Sequence, residues 1–250
     1  MNNKVKVVIP ARYGSSRLPG KPLLILKEKP IYWHVVQRVV EAGVSLDNIV
    51  VATDDERIKE SALNEKIPVE MTSPEHVSGT DRVNEVVNQR AWSDDTVILN
   101  VQGDEPVIPP ELIAGLIRFS LENRNYPITT AVTPISTVSE LNNPNIVKAI
   151  IAENNRALYF TRSSSPFNRE CPGDISYCFR HIGIYGYSVS ALKQFCSMPE
   201  AQLEALEKLE QLRALSFGIP IGTLVVNSAP QHGVDTFDDY ERLKRLMGEL

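Results

Sequence analysis

The chain has 250 residues, 42% hydrophobic and 23% charged, an ordinary globular composition with enough interior for a substantial core. Its net charge of −5 argues against a general nucleic-acid binder, which would carry a basic surplus, although local basic clusters can still hold small anions. Cys171, Cys178 and Cys196 form no metal-ligand pair and read as free thiols, and no apolar stretch approaches the roughly 20 residues that span a bilayer, so the expectation is a cytoplasmic protein with no membrane segment.

In chain order, "VKVVIP" (Val5 to Pro10) predicts a buried strand that runs into the loop "RYGSSRLPGKP". "PIYWHVVQRVVEAG" predicts a helix, with Pro30 in a favourable first-turn position and Gly43 at its end. "NIVVATDDERIKESALNE" repeats the theme, a strand to Thr53 and then a helix with acidic residues in its first turn. "SGTDRVNEVVNQRA" predicts a third helix, and "DTVILNVQGDEP" a buried strand, a loop at Gln102 and a helix from about Pro109. Continuous apolar strands alternating with helices predict an α/β fold with a doubly wound, mostly parallel sheet.

After about Pro127 the pattern turns β-rich. "YPITTAVTPIS", "NIVKAIIAENNRALYFTR" and "FRHIGIYGYSV" predict strands, and "FNRECPGDIS" an irregular loop. "PEAQLEALEKLEQLRALSFG" reads as the longest helix in the chain, ending at Gly218. Its leucines at 203, 206, 209, 212 and 215 recur every third residue, sweeping around the helix as core or dimer contacts. A strand "IPIGTLVVN", a loop and a helix from about Thr236 complete the chain. With no repeat or linker, the expectation is one α/β domain over residues 1–250, with a smaller β-rich lobe at about 127–220 within it.

Ligands of open α/β sheets bind outside the carboxyl ends of the strands, where three motifs fall. The first is the loop from Arg12 to Lys21, with Arg12, Arg17 and Lys21 on a backbone made adaptable by Gly14 and Gly20. It is not a P-loop, because five residues separate its glycines and Pro22 follows the lysine where a Ser or Thr would hold Mg²⁺. It reads as a polyphosphate-binding loop or as a turn with solvated cations. The second is Asp104 in "NVQGDEP", a candidate Mg²⁺ ligand or a turn aspartate. The third is Asp235 in "GVDT", a ligand or part of a helix cap. A dinucleotide G-x-G-x-x-G, a G-x-S-x-G nucleophile elbow and zinc spacing among His34, His76, His181 and His232 are all absent, and His34 reads as structural.

Taken in order, "IPARYGSSRLPGKPL", "ATDDERI", "SGTDR", "NVQGDEP", "ALYFTR", "RHIGIYGY", "LEKLEQLRAL" and "GVDT" closely resemble the 3-deoxy-manno-octulosonate cytidylyltransferases (CMP-Kdo synthetases), from about residue 5 to 245. The resemblance implies the nucleotide-diphospho-sugar transferase-like fold. It also implies Mg²⁺-dependent transfer of a cytidylyl group from CTP to the acidic sugar Kdo, for lipopolysaccharide synthesis, by a cytoplasmic homodimer. By position it places Arg12, Ser15, Arg17 and Lys21 on the CTP phosphates, and Ser78, Arg82 and Gln102 in the nucleotide pocket. Asp104 and Asp235 match the Mg²⁺ ligands, with Lys21 and Arg17 beside them in the catalytic set. Arg162, His181, Tyr185, Glu210 and Gln211 match the sugar site, assigned with dimerisation to the β-rich lobe. The wording "YGSSR" and the short segment "SSSPFNRECPGDIS" depart from the commonest family forms, and a subgroup using 8-amino-Kdo also carries "GSSR". The alternatives kept open are therefore 8-amino-Kdo or another acidic sugar as substrate, a glycosyltransferase, and a non-catalytic nucleotide-sugar binder.

Overall fold

Strand β1 (Val5–Pro10) is apolar on both faces, with Val5, Val7, Val8 and Ile9 all buried, which is the condition for a central parallel strand. The computed structural model describes residues 4–14, 17–227, 230 and 233–248. The chain divides into two compact units, Met1–Ala114 with Pro230–Leu250, and Gly115–Ala229.

In the first unit, β1 is followed by the small hairpin β2 (Ile25–Leu26) and β3 (Lys29–Pro30), then by helix α1 (Ile31–Glu41). Pro30 stands at the N-cap of α1 and Gly43, at φ +87°, lies just beyond its end. Strand β4 (Ile49–Thr53) leads to α2 (Glu56–Asn64), capped by Asp55. Strand β5 (Val69–Met71) precedes α3 (Gly79–Gln89), capped by Ser78. Strand β6 (Val97–Asn100) leads to α4 (Pro110–Glu122), the longest helix, which carries the chain into the second unit. The strand order β6-β1-β4-β5 is parallel throughout. The chain thus builds outward from β1 through β4 and β5, then crosses to β6 on the other side of β1. That reversal opens a crevice at the carboxyl ends of β1 and β6, with Val7 opposite Leu99 and Val8 opposite Asn100.

Gly103 continues that register, its N–H on the Pro10 carbonyl at 3.3 Å. A Cβ there would stand 2.6 Å from the same carbonyl oxygen, so only glycine lets the two strand ends lie this close. Gly233 meets the same limit, since its Cβ would stand 2.8 Å from the Asp104 carbonyl oxygen. Val234 donates to that carbonyl at 2.8 Å. The segment returning from the second unit is thereby fixed beside Asp104, and Val234 joins Leu26, Ile31 and Leu243 in a local apolar cluster.

In the second unit, β7 (Ile128–Pro134) is followed by α5 (Val138–Asn142) and the antiparallel pair β8 (Lys148–Ile151) and β9 (Ala157–Thr161). Strand β10 (Phe179–Ser188) pairs antiparallel with β7 and β8, and β11 (Ile221–Val225) pairs parallel with β7. Helices α6 (Val189–Ser197), α7 (Gln202–Glu207) and α8 (Gln211–Ser216) lie between β10 and β11, and α9 (Phe237–Leu246) closes the chain in the first unit.

Two expectations are corrected here. The long leucine-rich helix is two short ones, parted at Lys208, whose φ of 52° is left-handed. The helix stops because Glu207 is held from outside. Its carbonyl accepts from Arg162 Nε at 2.7 Å, and its carboxylate accepts from the Thr161 hydroxyl and the Arg162 N–H, each at 2.7 Å. Leu209 and Leu212 are buried while Leu203 and Leu206 are exposed, so one repeat serves two environments. The sequence pattern also passed over α6 and β5. The first is a nine-residue helix directly continuing a strand, and the second a three-residue edge strand whose side chains are all half-buried.

Candidate nucleotide site

The loop after β1 ends in a tight turn. Gly20, at φ +70°, donates to the Tyr13 carbonyl at 2.9 Å and starts the short 3₁₀ turn Lys21–Leu23, where Pro22 fits the first-turn geometry. This turn buries the stem of Lys21, which is only 9% exposed, and aims its ammonium at the crevice. There it bonds the Asp104 carboxylate, and Asp235 Oδ1 at 3.2 Å. Arg17 reaches the same Asp235 oxygen at 3.1 Å. The three strand-end motifs thus converge on one buried ammonium.

Asp104 lies in the turn after β6, and the capping of α9 falls to a neighbour of Asp235. Thr236, not Asp235, caps α9: its hydroxyl accepts from Asp239 N at 3.2 Å, and the Asp239 carboxylate accepts from Thr236 N at 3.0 Å. The Asp235 carboxylate is left to face the cations. Asp104 likewise presents its carboxylate to Lys21 while its carbonyl anchors Val234.

A cavity of about 290 Å³ opens above this cluster, lined by Arg12, Arg17, Lys21, Ser78, Arg82, Gln102, Asp104 and Asp235 among others, all of the first unit. Ser15 lies outside the described residues. Ser78 caps α3 through Asp81 N at 3.1 Å and also donates to the Asp81 carboxylate at 2.9 Å, so α3 directs its N-terminus at the cavity wall. Gln102 Nε2 donates to the buried Asn100 Oδ1 at 3.2 Å, which fixes the orientation of its amide. Arg82 is almost fully buried. Its guanidinium bonds Asp54 at 2.7 Å and the Thr72 hydroxyl, so it supports the wall from behind.

Sequence reasoning missed Asp54, although its place just past β4 in "ATDDERI" is the signal that could have found it. It also missed His76, which lines the cavity with its Nε2 2.5 Å from Glu85. Glu85 also accepts from Ser73 N at 2.8 Å. Burial alone would raise the Glu85 carboxyl, but the Ser73 N–H, His76 and Arg82 outweigh it and hold the group below the ordinary range.

The residues expected at a sugar site all lie in the second unit. Tyr185, Glu210 and Gln211 line one narrow recess. His181 adjoins Tyr185, with ring centroids 5.4 Å apart, and its Nε2 lies 2.9 Å from the Thr130 hydroxyl. Burial drives the His181 imidazole down to about 3, so it is neutral at ordinary pH. Burial, followed by the nearby Glu210 charge, pushes the Tyr185 phenol well up. Arg162 does not line this recess. Its Nε and Nη1 are engaged by the carbonyls of Glu207 and Pro144, at 2.7 and 2.8 Å.

Among the described residues no group of three or more His, Cys, Asp or Glu forms a protein-only metal cage. The two carboxylates around Lys21 instead fit a Mg²⁺ that completes its shell with phosphate oxygens and water.

Comparison with known proteins shows the family and the fold. The family model for cytidylyltransferases matches residues 6–221. The 3-deoxy-manno-octulosonate cytidylyltransferase 2 of Paraburkholderia phytofirmans is 43% identical over 246 residues, covering 97% of this chain and 94% of that protein. The 3-deoxy-manno-octulosonate cytidylyltransferase of Methylococcus capsulatus is 44% identical, covering 96% and 95%. A solved CMP:2-keto-3-deoxy-manno-octonic acid synthetase complexed with CTP superposes with a TM-score of 0.90 at 39% identity, covering 99% of both chains. A cytidylyltransferase from Leptospira borgpetersenii, 18% identical with a TM-score of 0.65, shares the fold over 100% of this chain and 88% of its own. With its parallel strand-end site and these full-length relatives, the chain belongs to the family of 3-deoxy-manno-octulosonate cytidylyltransferases.

Proposed function

We propose that this protein transfers the cytidylyl group of CTP to 3-deoxy-manno-octulosonate, releasing pyrophosphate and giving the activated sugar for lipopolysaccharide synthesis. The observation that carries the reading is the convergence of Lys21, Asp104 and Asp235 at the floor of a cavity rimmed by Arg12 and Arg17. A triphosphate brings a charge that cations from one loop can match, and guanidinium groups hold it without losing their protons. Arg12, Ser15, Arg17 and Lys21 take the phosphates, while Ser78, Gln102 and the wall braced by Arg82 take the nucleoside. His181, Tyr185, Glu210 and Gln211 take the sugar; Arg162, expected beside them, would reach it only by releasing the Glu207 or Pro144 carbonyl. A neutral buried imidazole beside a protonated phenol suits a hydroxyl-rich ligand, because each ring offers a hydrogen bond without the desolvation cost of a charge.

The reaction is an in-line displacement at the α-phosphorus by the anomeric hydroxyl, so the protein supplies alignment and charge stabilisation rather than a covalent nucleophile. Asp104 and Asp235 would hold Mg²⁺, which when bound polarises the phosphoryl oxygen and acidifies the attacking hydroxyl. When phosphates enter, Lys21 exchanges one carboxylate partner for phosphate oxygen and offsets charge on the departing pyrophosphate. The cytoplasmic location and the homodimer belong to the same reading.

Pyrophosphate release from CTP tests it, with Kdo, 8-amino-Kdo and sialic acid offered in turn in the presence of Mg²⁺. Kdo should be preferred, preference for another sugar would replace the substrate, and no release with any sugar would defeat the enzyme reading. Asp104→Asn should lower turnover by about 10²-fold or more while the protein stays folded.

A further inference from the structure

The acidic stretch after β4 does more than cap a helix. Asp54 braces Arg82, and the next residues reach the phosphate loop by another route. The Asp55 carboxylate accepts both Nε and Nη2 of Arg57, at 2.9 and 2.7 Å, as well as the Arg57 backbone N–H at 3.0 Å. This fork holds the guanidinium over the Tyr13 ring, its central carbon 3.5 Å from the ring centroid. Gly20 also meets that ring, since a Cβ there would stand 2.9 Å from Tyr13 Cε2. Its N–H ties the Tyr13 carbonyl at 2.9 Å.

We propose that Tyr13, clamped between Gly20 and the Arg57 guanidinium, is a positioning residue that closes the phosphate loop before CTP arrives. The proposal rests on the assignment of that loop to the CTP phosphates. Tyr13 stands near the start of the loop and Gly20 just before Lys21, so joining them fixes the end of the loop that carries Arg17 and Lys21. Without the clamp, Arg17 and Lys21 must be set in place when the nucleotide binds, and the binding free energy is reduced by that entropy. Arg57 is not itself a phosphate ligand here, because its fork is already matched by Asp55. The guanidinium lies over the aromatic face and also hydrogen-bonds the Tyr13 side chain, and the ring contact is the part that a phenylalanine at this position would keep.

Calorimetry on the full chain tests this, with CTP and, as a competitor, cytidine. Tyr13→Ala and Arg57→Ala should each weaken CTP by about five- to tenfold. The double variant should lose no more than either single one, because both break the same clamp. Tyr13→Phe, which keeps the ring, should recover affinity to within about twofold of wild type, and cytidine affinity should stay within about twofold in every variant. Unchanged CTP affinity in Tyr13→Ala would overturn the proposal, as would a parallel loss for cytidine or full additivity in the double variant. Lys21→Ala separates the two levels. If it weakens CTP but Tyr13→Ala does not, only the clamp is wrong. If neither weakens CTP, the phosphate loop itself has been misassigned.

Discussion

His181 shows how burial at one residue becomes a measurable property of the whole fold. Its imidazole sits against Phe160 and Tyr185, with ring centroids at 5.0 and 5.4 Å, and burial holds it at about 3 against an ordinary 6.5. The folded pKa is therefore the lower one. The stability that follows from neutral His181 is fully present above 6.5 and is lost as pH falls toward about 3, because only the unfolded chain takes up the proton in that window. Urea unfolding at several pH values should show wild type losing about 1.4 kcal/mol per pH unit below 6.5, relative to His181→Gln. A pH-independent gap between the two proteins would contradict a neutral buried ring. None of this was readable from "FRHIGIYGY", which offers a strand histidine but not what covers it. Asp235 is the same lesson in reverse. Its sequence suits a helix cap, and only the structure gives that task to Thr236 and frees the neighbouring carboxylate.

At the scale of elements, the site depends on how closely β1 and β6 end together. Gly103→Ala places a methyl group 2.6 Å from the Pro10 carbonyl, which is backbone and cannot turn away. The strand ends should part, carrying Asp104 from Lys21. We expect a stability loss of about 1–3 kcal/mol from overpacking. We expect a fall in turnover approaching 10²-fold, the cost of a misplaced reacting geometry. Thermal melts and pyrophosphate release measured together check this, and unchanged turnover would mean the contact does not set the site. The elements themselves were largely legible. Ser78 before α3, Asp55 before α2 and the apolar run of β1 are local signals, read locally. The leucine-rich segment misled because its helical pattern is sound. It breaks at Lys208 only because Thr161 and Arg162, remote in sequence, hold Glu207.

For the whole molecule, the second unit leaves Phe167, Tyr177 and Leu206 more than 70% exposed. The expected homodimer should give a sedimentation mass of about twice 27.9 kDa at micromolar concentration, and a monomer mass would contradict it. By itself the sequence determined the alternating α/β pattern, the three strand-end motifs and, through eight blocks in register, the family. Tertiary structure alone decided that Lys21 stands between Asp104, 83 residues away, and Asp235, 214 away. It also decided that Tyr13 lies under Arg57, that Arg82 supports the cavity wall from behind, and that Arg162 ends a helix. Periodicity and capping act over a few positions and leave their mark in the local sequence. Charge pairing and ring packing act through space, and which partners meet is settled only when the strands have taken their order.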